Sequence, residues 1–136
     1  MKTNAQNAGN GPKAKRARHS KKHPEPKTDV RPWGKFEEYA TNRKVTVKII
    51  TVKKGGVLSL QSHKNREEHW VCLDNGLTAI IGNRKIPLRK GQLVIVPKGA
   101  KHRMIAKREA RFLEISLGHF DENDIVRYED RYGRAK

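Results

Sequence analysis

The stretch that decides the fold comprises residues 55–75, GGVLSLQSHKNREEHWVCLDN, and residues 91–102, GQLVIVPKGAKH. Short apolar runs in both segments are interrupted by Gly, Pro and Asn, which is typical of strands that end in tight turns. Ser59, Gln61 and His63 are spaced two residues apart, so on a strand their side chains point to the same face. The first segment therefore predicts a strand that presents polar side chains to one side.

Two further polar residues extend this pattern. Glu68 begins a second apolar strand after a polar turn, and His102 follows a third strand that Pro97 and Gly99 end. Amide and carboxylate oxygens combined with imidazole nitrogens suit Zn²⁺, with Mn²⁺, Co²⁺ or Fe²⁺ as alternatives. We therefore predict one divalent metal, zinc first among these, where the three strands converge. The predicted ligands are Gln61, His63, Glu68 and His102.

The spacing of these residues resembles the two motifs of the cupin superfamily. The first motif runs Gly, five residues, His, one residue, His, three or four residues, Glu, six residues, Gly. The chain follows it with glutamine for the first histidine and asparagine for the last glycine: Gly55, Gln61, His63, Glu68 and Asn75. The second motif has its counterpart in Gly91, Pro97, Gly99 and His102. The resemblance implies an all-β fold, the cupin double-stranded β-helix or jelly-roll barrel.

Longer blocks resemble the type II mannose-6-phosphate isomerase domain within this superfamily. They are Arg66 and residues 58–61 (LSLQ), 68–70 (EHW) and 97–103 (PKGAKHR), with flanks at 31–37 (RPWGKFE) and 124–134 (DIVRYEDRYGR). In that family the domain often forms the C-terminal part of a bifunctional isomerase and mannose-1-phosphate guanylyltransferase. The resemblance implies a metal-dependent aldose–ketose isomerase that interconverts mannose 6-phosphate and fructose 6-phosphate and feeds GDP-mannose and polysaccharide synthesis.

Two residues near the predicted ligands are candidates for contact with a sugar phosphate. Arg66 lies in the turn between the His63 and Glu68 strands, where its planar guanidinium could clamp a phosphate or a developing enediolate. We predict it as a catalytic and substrate-binding residue, with an exposed arginine as the alternative. Ser59 is predicted to bind substrate, with a buried serine bonded to the backbone as the alternative. No general base is named, since Glu68 is assigned as a ligand, His69 would point away, and Lys48 or Lys101 would have to lose its charge to act as a base.

The remainder of the folded region also favours short strands. Of the 136 residues, those at 29–136 suit one small domain with one core. Residues 121–132 are predicted to form a short helix or an irregular lid. Gly82 and Asn83 mark a two-residue hairpin, and many short strands with such turns indicate a sandwich or barrel. The strands are predicted over residues 45–52, 58–62, 68–73, 77–81, 84–88, 92–96, 103–105 and 111–117.

Residues 1–28 differ in composition from the rest. They carry eight Lys or Arg, a single acidic residue, Glu25, and no aromatic or β-branched apolar side chain. Such a segment cannot bury a core, so we predict a disordered basic tail. It is either a solvated tail or an arm that binds nucleic acid or an anionic surface non-specifically. It lacks the apolar core of a secretory signal peptide, and no apolar run long enough to span a membrane follows, so a cytoplasmic location without membrane insertion is expected.

The sequence is also compatible with a function other than catalysis. A non-catalytic metal-binding cupin module could bind a sugar phosphate or partner a separate guanylyltransferase; the missing base favours it, as do Lys64 and Asn65, where the family commonly carries histidines. The family also implies a homodimer. Guanylyltransferase activity is not expected from this chain, because it needs a separate α/β domain with a glycine-rich phosphate loop.

A specific nucleic-acid interface is not expected despite the net charge of +17, since the chain lacks an aromatic-interleaved basic strand face and a recognition helix.

The chain has one cysteine, Cys72, so it can form neither an intrachain disulfide nor a zinc site built from several thiolates. Cys72 is predicted to be a small buried hydrophobe. Trp33 and Trp70 are assigned to packing rather than to the site.

Overall fold

A computed structural model describes residues 24–135, and within that range the regular structure consists of strands without a helix. The strands form a two-stranded ribbon, β1-β2, and two larger antiparallel sheets with the orders β3-β10-β5-β8 and β11-β4-β9-β6-β7. In chain order they are β1 (Lys27–Arg31), β2 (Gly34–Glu38), β3 (Val45–Val52), β4 (Leu60–Ser62), β5 (Arg66–Cys72), β6 (Leu77–Ile81), β7 (Arg84–Pro87), β8 (Leu93–Val96), β9 (His102–Ala106), β10 (Ala110–Gly118) and β11 (Val126–Glu129). The predicted all-β fold is confirmed, whereas most of the predicted tail, residues 1–23, lies outside the described residues.

The eight predicted strands are all present, and β3 and β6 begin and end at the predicted residues. In β3 the side chains alternate between the two faces, so that Lys48 and Ile50 are half-buried while Val47 and Ile49 are exposed. The predicted hairpin is also confirmed, because Ile81 pairs with Arg84 across the two-residue turn that joins β6 to β7. Period-two alternation and turn residues were therefore sufficient to locate these strands.

The helix predicted as one form of residues 121–132 is wrong. The structure has an irregular turn at residues 121–124, followed by strand β11. β11 pairs antiparallel with β4, with Arg127 opposite Gln61. The short β4 would otherwise leave backbone groups unpaired at that edge of the sheet, and pairing with β11 satisfies them. The alternative prediction, an irregular lid, describes the turn that precedes β11.

The N-terminal ribbon was not predicted from the sequence. β1 begins at Lys27, two residues before the predicted start of the domain, and pairs with β2 from Lys27 opposite Glu38 to Arg31 opposite Gly34. The turn of this ribbon carries Trp33, which is 73% exposed. Within the described part of the chain, this exposure contradicts the assignment of Trp33 to packing. Among those residues no helix has the length and apolar character needed to cross a membrane.

The core lies between the two larger sheets and occupies one end of the strands. Along β10, the fully buried Phe112 is followed at the same face by the polar Glu114 and Ser116. Along β5, the buried Cys72 and Trp70 are likewise followed on the same face by the buried polar residues Glu68 and Arg66. Burial raises the pKa of the Cys72 thiol to about 11, so this residue is an unreactive core side chain, as predicted. One end of the barrel is thus apolar, and the other end is lined by buried polar groups.

Removal of residues 1–23 is expected to leave the cooperative unfolding transition unchanged, because their composition gives them no side chains with which to build a core. The truncation stops before Lys27, since this residue pairs with Glu38 in the ribbon. Thermal and denaturant unfolding of the truncated and full-length chains would measure the effect. A transition that loses its cooperativity on truncation would contradict the predicted tail.

Candidate metal centre

Three of the four predicted ligands converge at the polar end of the barrel. His63 directly follows β4, Glu68 lies on β5 and His102 begins β9. Their candidate ligand atoms all lie within 4.8 Å of one another. Glu68 Oε1 is 3.1 Å from His63 Nε2, and Glu68 Oε2 is 3.7 Å from His102 Nε2. All three side chains are buried, with residue exposures of 4% or less.

Backbone carbonyls determine which nitrogen of each imidazole faces the cluster. His63 Nδ1 lies 3.1 Å from the carbonyl oxygen of Asp124, and His102 Nδ1 lies 2.9 Å from that of Ala100. Because a carbonyl only accepts, each Nδ1 donates and each Nε2 is turned to the interior. Burial lowers the pKa of His102, which favours the neutral ring with a lone pair on Nε2. This is the arrangement found around metal-bound histidines.

The donor set fits a divalent cation. Burial raises the pKa of Glu68, but the contact with His63, the neighbouring His102 and the hydrogen bond from Trp70 together lower it to about 2. The indole Nε1 of Trp70 donates to Glu68 Oε2 at 3.0 Å. Among the described residues, His102 Nε2 is buried without a hydrogen-bond partner. A buried carboxylate and an unpartnered imidazole nitrogen side by side are stabilised by a cation between them.

The fourth predicted ligand, Gln61, lies beside this cluster. It is opposite His102 in the β4–β9 pairing, so the two side chains share the inner face of the sheet. Its amide Nε2 donates to Ser59 Oγ at 2.8 Å, which leaves the amide oxygen as the ligand atom. Ser59 is 0% exposed, and its hydrogen bond with the Gln61 amide fixes the orientation of that amide from the buried side. Contact between Ser59 and a substrate stays a prediction.

The predicted clamp Arg66 contacts the cluster itself. Its Nε donates to Glu68 Oε1 at 3.4 Å, its Nη2 is 3.3 Å from His63 Nε2, and its Nη1 donates to the Asp121 carbonyl at 3.2 Å. The guanidinium also lies 4.4 Å from the ring of Phe120. Arg66 is 5% exposed, so the alternative of a solvent-exposed arginine is excluded. These contacts favour charge stabilisation at the cluster, and a catalytic role stays a prediction.

The site also contains two ionisable residues: Glu114 on β10, which sequence reasoning missed, and Lys48 on β3, which it weighed only as a possible base. They pair directly opposite each other, and Glu114 also pairs with Trp70 of β5. Burial raises the pKa of Glu114, and the charge and hydrogen bond of Glu68 raise it further, to about 7. The charge of Lys48 acts in the opposite direction. A carboxyl group that can hold or release a proton near neutral pH thus lies next to the ligand cluster.

The signal for Glu114 is present in the strand ARFLEISLG. Alternation places Glu114 on the same face as Phe112 and Ser116. Carboxylates are rarely buried unless they are paired, so a glutamate on a buried strand face indicates a specific partner or a function. Lys48 carries the same signal among the inward residues of β3. Neither strand indicates that its charged residue faces the metal cluster, since that depends on how β3, β10 and β5 pair.

The ligand cluster and the ordered sequence blocks at both flanks agree with one family. Residues 17–130 match the family described as mannose-6-phosphate isomerase C-terminal. The chain belongs to this family. The chain is therefore a member of a family of sugar-metabolism enzymes. This family suggests that the candidate centre binds a metal.

Curated relatives of this family member are longer proteins. The chain is 37% identical over 108 residues to the xanthan biosynthesis protein XanB of Xanthomonas campestris pv. campestris (strain B100), covering 77% of this chain and 23% of XanB. It is 38% identical over 109 residues to a mannose-1-phosphate guanylyltransferase of Escherichia coli (strain K12), covering 77% of this chain and 23% of that protein. The chain therefore spans less than a quarter of the length of these relatives.

Solved structures confirm the fold. The 3'-monoepimerase ChmJ of Streptomyces bikiniensis has a TM-score of 0.61 at 9% identity, covering 76% of this chain and 67% of that chain. The cupin domain of Schizosaccharomyces pombe Cnp3 has a TM-score of 0.52 at 12% identity, covering 60% and 61%. At these identities the likeness concerns the fold alone, and it confirms the predicted cupin architecture.

Proposed function

We propose that this chain is a metal-dependent aldose–ketose isomerase that interconverts mannose 6-phosphate and fructose 6-phosphate. The observation that carries the proposal is the convergence of His63, Glu68 and His102 beside the buried carboxyl of Glu114. An isomerase of this kind needs a group that moves a proton between C2 and C1 and a means of stabilising the enediolate. The buried carboxyl of Glu114 and the cluster of His63, Glu68 and His102 support the proposal that the polar end of the barrel meets both needs.

The metal would be held by the four predicted ligands, and we propose zinc as its identity. When bound, a divalent cation stabilises negative charge on the sugar oxygens as a Lewis acid. The protein contributes ligand orientation through the Asp124 and Ala100 carbonyls, which hold the two imidazoles. Arg66 adds a permanent positive charge next to Glu68 and is thereby suited to stabilise an enediolate formed beside the cluster. The four ligands are Gln61, His63, Glu68 and His102.

We assign the proton transfer to Glu114. It is a buried carboxyl group on the inner face of the barrel and lies outside the predicted ligand set. Its carboxylate would take the proton from C2 of the aldose and return it to C1, while the hydroxyl proton on O2 passes to O1 of the enediolate; the reverse transfers would convert the ketose. Lys48 pairs opposite Glu114, and its positive charge supports the ionised form that accepts the proton. Burial excludes bulk water, which would otherwise exchange with the proton during the transfer.

Substitution Arg66→Lys is expected to lower kcat/KM by about 10- to 100-fold, because lysine keeps the charge but not three contacts in fixed directions. The guanidinium reaches Glu68, His63 and the Asp121 carbonyl at once. The matched control is Arg103→Lys, since Arg103 pairs with Glu129 and donates to the Leu58 carbonyl away from the cluster. Steady-state kinetics would measure both variants. Equal kinetics for the Arg66 variant and the unsubstituted chain would remove Arg66 from the mechanism.

A coupled isomerase assay on the metal-loaded full chain, run from mannose 6-phosphate and from fructose 6-phosphate, tests the proposed function. Turnover in both directions supports it. Binding of both sugar phosphates without turnover would replace it by the second candidate, a non-catalytic module that partners a separate guanylyltransferase. Relatives named mannose-1-phosphate guanylyltransferase, such as that of E. coli, favour this candidate. Binding of neither sugar phosphate would contradict both.

A further inference from the structure

Arg127 lies in line with two predicted ligands on the inner face of the five-stranded sheet. β11 pairs with β4, which places Arg127 opposite Gln61, and Gln61 is in turn opposite His102 of β9. Directly opposite residues of antiparallel strands project to the same face. Adjacent strands are about 4.8 Å apart, so the backbone of Arg127 is roughly 10 Å from that of His102. The three side chains therefore form a row from the sheet edge to the metal centre.

The guanidinium of Arg127 has an unpaired donor. Within the described part of the chain, the buried side-chain atoms without a hydrogen-bond partner are His102 Nε2, Ser116 Oγ and Arg127 Nε. Ser116 pairs opposite Glu68, so all three atoms belong to residues on the inner side of the barrel. Buried polar atoms are rarely left unpaired in the absence of a ligand. Arginine cannot become neutral by losing its proton, so Arg127 requires an acceptor, and an anion suits it best.

The neighbouring cations are already neutralised. Arg127 and Arg134 line a cleft of about 400 Å³ together with Glu122. Arg134 forms two contacts to the carboxylate of Asp130, at 2.8 and 3.2 Å. Lys48 Nζ lies 3.8 Å from Glu122 Oε1, and that carboxylate is largely exposed. Among the described residues of this cleft, Arg127 is thus the cation left to receive an incoming anion.

Arg66 does not compete for this role, because its three nitrogens contact Glu68, His63 and the Asp121 carbonyl. We propose that Arg127 is the anchor for the phosphate monoester of the substrate, with the sugar extending from the sheet edge towards Gln61 and His102. The identity of that sugar phosphate rests on the proposed function. A planar guanidinium offers the two-pronged contact that a phosphate accepts.

Titration of the metal-loaded, ¹⁵N-labelled full chain with mannose 6-phosphate, inorganic phosphate and mannose tests this subsite. We expect one arginine Nε–Hε resonance to shift with both phosphates and not with mannose, and to be missing from the spectrum of Arg127→Lys. Dissociation constants for mannose 6-phosphate should rise about 10- to 100-fold in Arg127→Gln and less in Arg127→Lys, which keeps the charge. Arg84→Gln is the matched control, since Arg84 is exposed on β7, and its dissociation constant should not change.

The outcomes separate this inference from the proposed function. If mannose 6-phosphate binds through Arg127 without being converted, the isomerase proposal fails and the phosphate subsite stands. If the chain turns over with the same KM and dissociation constant after Arg127→Gln, the subsite is overturned and the isomerase proposal stands. Equal affinities for inorganic phosphate and mannose 6-phosphate would overturn the assignment to a sugar phosphate. If Arg127→Gln unfolds, the dissociation constant for mannose 6-phosphate is compared between Arg127→Lys, which retains the aliphatic stem, and the unsubstituted chain.

Discussion

His63→Ala and His102→Ala are each expected to abolish the binding of one divalent ion per chain, whereas Gln61→Ala weakens binding less. The order follows from ligand strength, because an imidazole nitrogen is a better donor to these metals than an amide oxygen. Either histidine substitution also leaves the buried Glu68, whose pKa is lowered to about 2 in their presence, without part of its stabilisation. Elemental analysis after dialysis against a metal buffer would give the stoichiometry of each variant.

His69 provides the matched control for these substitutions. It neighbours Glu68 in the chain but lies on the other face of β5, where its Nε2 is 2.7 Å from Glu67 Oε2. His69→Ala should keep full occupancy. Chelation should remove isomerase activity from the unsubstituted chain, and several divalent ions should restore it without a redox agent. Full occupancy in both the His63 and His102 variants would contradict the metal centre.

Glu114→Gln is expected to lower kcat by about 10²- to 10⁴-fold, the usual contribution of a positioned acid–base group. Metal occupancy should not change, because Glu114 is outside the predicted ligand set. Stability should not fall either, since the pKa of Glu114 is raised by burial and by the charge of Glu68, and glutamine removes that unfavourable negative charge. Steady-state kinetics, elemental analysis and thermal unfolding of the same variant would test the three expectations together.

The control for Glu114→Gln is Glu109→Gln, which removes one carboxylate from an exposed position before β10. It should leave kcat and metal occupancy unchanged. A Glu114 variant that keeps the kcat of the unsubstituted chain would assign the proton transfer to another group. A Glu114 variant that loses the metal would instead place this carboxylate among the ligands.

Local signals in the sequence were sufficient for most of the fold and for the candidate ligands. Period-two alternation and glycine turns located eight strands, because both are properties of neighbouring residues along the chain. The two-residue spacing of Gln61 and His63, and the positions of Glu68 and His102 next to strand ends, selected the residues that the structure brings together. The strand β11 escaped notice because its four residues are half polar and depend on pairing with β4.

The remainder of the site depends on contacts between residues that are distant in the chain. Alternation places Glu114 on a buried face, but only the pairing of β10 with β5 brings it to Glu68 and raises its pKa. The Asp124 carbonyl that orients His63 is 61 residues away, and the register of β11 on β4 aligns Arg127 with Gln61. Burial and charge proximity are properties of the assembled barrel, which is why the proposed acid–base group and the unpaired arginine were decided by the tertiary structure.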